Sequence, residues 1–244
     1  QAMLSKGEFL YDEVEILLRE ELRDPSNYLS ILTAIAGGAT SLSEIHSRTM
    51  LDKSLLSKYL FILEKLGMVE KVLPVIASYK GRLKAKGSAY YLKDNFIDFW
   101  LRFVYLNKSD LEIGRADEVN SRIKREINTF LGRKFEQFIM KLIPAVFPSF
   151  HTAGRWWHRD REIDLVALNE EAKEILFCEC KWQERVDAAK VIAELKAKAS
   201  YVQWNSGKRK EHYAIFAKSY KEKIKTQDEM LFDLKDIEKA LKQN

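Results

Sequence analysis

Residues 154–182 read GRWWHRDREIDLVALNEEAKEILFCECKW, and this stretch decides how the rest of the chain is understood. Two apolar runs predict short strands over 161–168 and 173–182, and the polar segment Asn169–Ala172 between them predicts a hairpin turn. Side chains alternate between the faces of a strand, so spacing by two decides which residues meet. Strict alternation places Glu162, Asp164 and Val166 on one face of the first strand, with Ile163, Leu165 and Ala167 on the other. On the second strand Ile175, Phe177, Glu179 and Lys181 share a face, opposite Leu176, Cys178, Cys180 and Trp182. Glu162, Asp164, Glu179 and Lys181 are thus expected on one side of a ribbon that is otherwise strongly apolar. An unpaired charge beside a core is expensive, so something must offset it. Mutual pairing of Lys181 with Asp164 or Glu179 is one answer. A divalent metal is another, since hard cations such as Mg²⁺ take carboxylate oxygens and keep several waters.

Composition sets outer bounds. The chain has 244 residues, enough for one large domain or two ordinary ones. Its 41 basic and 36 acidic residues leave a net charge of +5, compatible with nucleic acid without demanding it. No apolar run approaches the ~20 residues that cross a bilayer, and no signal peptide is expected; a cytoplasmic protein without a membrane partner is the resulting expectation. Cys178 and Cys180 are the only cysteines, too close along one strand to pair well and too few for a zinc site, and they read as small buried hydrophobes.

Outward from the hairpin, the N-terminal half is helical. Phe9–Leu22 carries an apolar stripe. A second helix is expected over Ser26–Ala36 with Ser26 or Asn27 as its cap, stopped by Gly37-Gly38. Ser41 caps a short helix, Leu42–Arg48, with Glu44 at the capping-box position, and Asp52 caps Lys53–Leu66, closed by Gly67. Three helices with a tight connection between the last two make a helix-turn-helix, and strands at Met68–Val75 and Ser88–Leu92 around a basic loop complete a winged helix. Its candidate DNA contacts are Lys53, Ser54, Ser57 and Lys58 on the recognition helix, with Arg82, Lys84 and Lys86 on the wing. A winged helix that only meets other proteins is the competing reading. The aromatic segment Asn95–Leu106 reads as a packed joining helix, with a linker at Asn107–Gly114. Glu118–Ile143 reads as a long helix broken near Asn128-Thr129 and ended by Pro144. Phe150–His158 is an expected edge strand, Val186–Val202 a helix carrying Lys190, Lys196 and Lys198, and His212–Ala217 a third core strand followed by a polar helix and a closing helix at Asp233–Lys242.

Asp164 followed by Glu179-Cys180-Lys181 resembles the signature of the PD-(D/E)XK nuclease superfamily, although Ile163 stands where the family name has proline. The resemblance implies that Asp164 and Glu179 hold Mg²⁺ or Mn²⁺, that the Cys180 carbonyl is a further ligand, and that Lys181 acts on the attacking water or the charge developing on phosphorus. It also implies an acidic residue from an upstream helix, for which Glu136 is placed. YDEVEILLREEL, LSEIHSRTMLDKSLLSKYL, KDNFIDFWLRFVYLNKS and GRWWHRDREIDLVALN with ECKW together are similar to the C-terminal region of a family of archaeal P-loop ATPases, in which a winged helix precedes a restriction-endonuclease-like domain. The fold class implied is α+β or α/β multidomain: residues 1–24 a helix left from an ATPase domain, 25–94 the winged helix, 95–117 a connecting helix and linker, and 118–244 the nuclease-like sheet. The partners implied are DNA, an ATPase domain in cis or trans, and a second copy of the chain. No nucleotide-binding glycine loop occurs in the sequence, so ATP chemistry has no residues here. The function expected is metal-dependent phosphodiester hydrolysis on DNA. An inactive module that binds DNA or protein through the same fold is the alternative.

Overall fold

The computed structural model describes residue 4 and residues 8–21, 25–76, 87–223 and 228–242. It is a mixed α+β chain that divides into two compact units, Gln1–Leu73 with Lys86–Ile127 and Pro74–Ala85 with Asn128–Asn244. The division falls inside a helix rather than in the linker expected near residue 107.

The first unit opens with α1 (Phe9–Glu21), α2 (Pro25–Ala36), α3 (Leu42–Thr49) and α4 (Lys53–Lys65). Caps fix these boundaries. Ser41 Oγ accepts from the Glu44 amide at 3.2 Å while Glu44 Oε2 accepts from the Ser41 amide at 2.8 Å, a reciprocal capping box. Asp52 Oδ1 accepts from the Ser54 amide at 2.8 Å to start α4, and Gly67, at φ +71°, leaves it in the left-handed conformation that glycine tolerates. α2 begins one residue ahead of the expected cap, at Pro25, whose fixed φ suits a first helical turn. Ile31 and Leu32 of α2, Ile45 of α3, and Leu56, Leu60 and Leu63 of α4 are fully buried. β1 (Val69–Val72) and β2 (Ala89–Leu92) then pair antiparallel, Val69 opposite Leu92.

The aromatic segment is not one regular helix. It runs α5 (Asn95–Phe99), a π-helical turn (Trp100–Val104) and a 3-10 turn (Tyr105–Asn107). Trp100 is wholly buried and donates from Nε1 to the Tyr11 carbonyl at 2.8 Å, so it anchors α1 as well as its own turn. The expected linker at 107–114 contains α6 (Lys108–Glu112), where Lys108 reaches Glu15 at 2.5 Å and Asp110 pairs with Arg122.

α7 (Ala116–Val146) is continuous through Asn128-Thr129 and carries Pro144 inside its last turn. Asparagine and threonine cost a helix only tenths of a kcal/mol each, too little to break one that packs well. In the second unit, β3 (Thr152–His158), β4 (Arg161–Asn169), β5 (Glu174–Lys181), β6 (Lys210–Ala217) and β7 (Glu229–Phe232) form one sheet in that order. β3, β4 and β5 are antiparallel neighbours; β6 and β7 join in parallel. A parallel pair needs a crossover, supplied between β5 and β6 by α8 (Ala188–Ala199), whose cap Asp187 accepts from the Lys190 amide at 3.2 Å. α9 (Leu234–Lys242) closes the chain. β3 is an edge strand, as its sequence implied. β7, rather than the expected polar helix, precedes α9.

Both faces of the sheet are covered. On one, Val191, Ile192, Leu195 and Ala199 of α8 pack with Val166, Leu168, Ile175 and Phe177. On the other, Phe135, Ile139, Leu142 and Ile143 of α7 and Ile237 of α9 pack with Leu165, Ala167, Leu176 and Cys178. This double cover explains the unbroken burial of β5 from Ile175 to Cys180.

β4 holds one irregularity that matters. Against β3, Gly154 faces Val166 while Trp156 faces Ile163, so β4 spends three residue steps where β3 spends two. This is a β-bulge at Asp164-Leu165. Ile163 consequently shares a core with Val166 and Leu168. The expectation that Glu162, Asp164 and Val166 keep one face fails here, because the extra residue reverses the parity.

Two substitutions probe these assignments by urea unfolding. Ser41→Ala should cost about 1 kcal/mol through the lost cap, and Phe177→Ala, truncating a ring with 0 % exposure, about 3–5 kcal/mol.

Candidate functional site

The bulge sets the position of Asp164. Its Oδ2 accepts from the backbone N–H of Cys180 at 2.8 Å, tying the carboxylate of β4 to the next strand. Cys180 thus meets Asp164 through its amide. Its thiol and that of Cys178 are pushed well up, first by burial and then by repulsion from Asp164, so neither supplies a thiolate.

Glu179 is the most enclosed carboxylate of the group, at 6 % exposure. Two ammonium groups hold it: Lys181 Nζ lies 2.7 Å from Oε1, and Lys198 Nζ lies 3.2 and 3.1 Å from Oε1 and Oε2. Burial works against the Lys181 charge, yet the hydrogen bond to Glu179 and attraction to Asp164 keep its pKa above the ordinary lysine value. Lys181 also lines an open cavity of about 370 Å³, shared with Asp187, Lys190 and Glu194. Glu136, on α7, is held by Arg155 of β3 at 2.6 Å. Burial still raises its pKa, with Glu162 and Glu179 adding repulsion.

Asp164 is the member left with a charge to settle. Burial, then Glu179, then Glu136 push its pKa up to about 7, against the hydrogen bond from Cys180 and the attraction of Lys181. Among the described residues no lysine or arginine forms an ion pair with it. The structure therefore brings Asp164, Glu179, Lys181 and Glu136 into one electrostatic cluster and adds Lys198 and Arg155. Sequence reasoning noted Lys198 only as part of a basic helix. Nothing local marks it, since its meeting with Glu179 depends on how the crossover helix lies on the sheet.

The donor chemistry suits a hard cation. Asp164 and Glu179 offer carboxylate oxygens on adjacent strands, and a positive ion beside Asp164 would oppose the burial and repulsion that raise its pKa. Their number is small: among the described residues no three of His, Cys, Asp and Glu gather into a group able to hold a metal. An ion taken here would keep most of its waters, as Mg²⁺ does.

In the first unit, Lys53, Ser54, Ser57 and Lys58 are all exposed on α4. Ser54 Oγ donates to Asp52 at 2.6 Å and Ser57 Oγ to the Lys53 carbonyl at 2.8 Å, leaving the two lysines as the open charges of that face. Arg82, Lys84 and Lys86 lie outside the described residues. Among the described residues no helix is long and apolar enough to cross a membrane.

Residues 100–192 match the family DUF234, described as archaea bacterial proteins of unknown function. That span contains Glu136, Arg155, Asp164, Glu179 and Lys181. The chain is also 36 % identical over 237 residues to Uncharacterized protein MJECL04 of Methanocaldococcus jannaschii, an alignment covering 94 % of this chain and 52 % of that protein. The chain thus spans about half the length of the curated relative it matches.

The pKa of Asp164 carries a stability prediction of definite sign. Between the unfolded value of 3.8 and the folded value of about 7, the folded state holds a proton that the unfolded state has lost. Stability therefore falls as pH rises through that window and levels above it. Asp164→Asn removes the effect. In EDTA the variant should gain on the wild type by on the order of 1–3 kcal/mol at pH 8 relative to pH 4, measured by urea unfolding. An equal difference at both pH values would contradict the assignment.

Proposed function

We propose that the second unit is a metal-dependent phosphodiesterase acting on DNA, built on a PD-(D/E)XK-type core, and that the first unit is a winged helix with its own DNA-contacting face. The observation that carries this reading is the cluster of Asp164, Glu179 and Glu136 with Lys181 at the end of a hairpin. Crowded carboxylates beside a partly exposed ammonium offer groups that a cation and a phosphoryl group could each use, and pKa values displaced as that of Asp164 is are commoner at functional sites. The order of elements in each unit supports the two fold assignments. A longer parent protein, with an ATPase domain in cis or trans, is proposed from the resemblance and is compatible with a relative about twice as long.

Each residue then has a role. Asp164 and Glu179 would hold the cation. What a divalent ion supplies when bound is polarisation of a phosphoryl oxygen and a more acidic water. Lys181, already close to both carboxylates, faces the charge that develops on the phosphate. Lys198 neutralises Glu179 from the helix side and would be available to a phosphate oxygen were Glu179 to hold a cation instead. Arg155 pairs with Glu136 beside Asp164 and opposes the effect of its burial.

One observation favours a second reading. Both oxygens of Glu179 are already engaged by lysines, which a stable scaffold would also need. The same chain would then bind DNA or protein without cutting it.

Incubation with supercoiled, linear and branched DNA in Mg²⁺ or Mn²⁺ separates the two. The hydrolase reading expects cleavage that falls on the order of 10²-fold or more in Asp164→Ala and Lys181→Ala. It also expects a rise in melting temperature with Mn²⁺ at pH 8 for the wild type but not for Asp164→Ala. No cleavage and no metal-dependent shift would leave the scaffold alone. For the first unit, Lys53→Ala with Lys58→Ala should weaken duplex binding similarly across sequences and lower the salt slope by about two; an unchanged slope would remove α4 from the DNA interface.

A further inference from the structure

We infer that Tyr201 and Arg161 form a stacking platform for an unpaired nucleobase beside the carboxylate cluster, so that the DNA handled there is single-stranded at the point of contact. The inference deepens the proposed function and rests on it for the identity of the polymer.

Tyr201 follows α8 directly and is 50 % exposed. The guanidinium of Arg161 lies 3.9 Å from its ring centroid, a stacked cation–π contact. Arginine lies over the ring, and half of the residue's surface stays open to solvent. The charge of Arg161 is barely spent internally. Its acidic neighbour Asp160 is 3.6 Å away with a side chain that is itself 79 % exposed, a surface pair of little strength. His158 and Arg159, at the tip of the same hairpin, are exposed as well.

Position connects this pair to the cluster. Lys198, which holds Glu179, accepts at its backbone carbonyl from the Tyr201 amide at 3.1 Å. Arg161 precedes Asp164 by three residues on β4, a separation of about 10 Å along a strand. A strand of DNA whose phosphate lies at Asp164 would therefore carry a base to Tyr201 within a few nucleotides. A base inside a duplex has both faces covered by its neighbours and cannot use such a platform. A base in a single strand, a frayed end or a flap can, and every base has a π-face to offer.

The test is fluorescence anisotropy with the full chain in EDTA, against a dye-labelled single strand, its blunt duplex, and the same strand with abasic positions. The single strand should bind more tightly than the duplex. Tyr201→Ala should weaken the single strand roughly ten-fold and leave the duplex unmoved, whereas Tyr201→Phe should keep wild-type affinity. The abasic strand should bind the wild type as weakly as the intact strand binds Tyr201→Ala, which asks the same question without touching the protein. Equal affinity of the wild type for intact and abasic strands, or no change in Tyr201→Ala, overturns the platform. A strand held through Tyr201 but never cut in Mg²⁺ overturns the hydrolase and leaves the platform standing.

Discussion

The second unit depends on neutralising a carboxylate where the sheet is covered on both faces. Glu179 sits near the end of a strand that is buried from Ile175 to Cys180, and its solvation is almost entirely lost. The idealised penalty for such a transfer is of order 20 kcal/mol, and several kcal/mol remain after relaxation. Two ammonium groups, one from its own strand and one from the crossover helix, replace the water. Their origin matters. Lys181 depends on the local run Glu-Cys-Lys, whereas Lys198 depends on α8 packing across the sheet. The charge arrangement and the helix-on-sheet packing therefore stabilise each other.

The balance of the wider cluster explains why Asp164 differs from its neighbours. Glu136 has Arg155, and Glu179 has Lys181 and Lys198. Asp164 has a single backbone donor. A carboxylate that accepts several backbone bonds is held ionised, but one such bond is not enough for a buried carboxylate beside two others. Its proton is retained to about pH 7. The bulge in β4 is what puts it in this position. Bulges re-aim a side chain and are common beside active sites; here the extra residue separates the charged end of the ribbon from the apolar remainder without disturbing the pairing of Leu165 with Cys178 onward.

Much of this was legible in the order of residues. The capping box at Ser41, the cap at Asp52, the hairpin strands and the edge strand β3 follow from rules of a few residues' range. So does the meeting of Lys181 with Glu179, two apart on one strand. What escaped depends on contacts between distant segments. The bulge carries no glycine to announce it, so strict alternation misplaced Glu162. Lys198 meets Glu179 only through a crossover. α7 runs through Asn128-Thr129 because packing outweighs a small loss of propensity, and β7 is a short apolar run that becomes a strand only because β6 offers it an edge.

The two lysines on Glu179 argue less strongly against a cation than they first suggest. Charges about 4 Å apart attract by ~1 kcal/mol in bulk water and ~4 kcal/mol near a protein surface. The Lys198 side chain is 31 % exposed, so its charge keeps part of its contact with water. A divalent ion held as proposed would bring twice the charge to Asp164 and Glu179 together and would oppose the repulsion between them. One ammonium contact to Glu179 would then be exchanged for attraction to two carboxylates, and Lys198 would regain hydration. On the proposed reading, the pairing seen at Glu179 is the resting arrangement of a site whose lysines serve the carboxylate or the phosphate according to which charge is present.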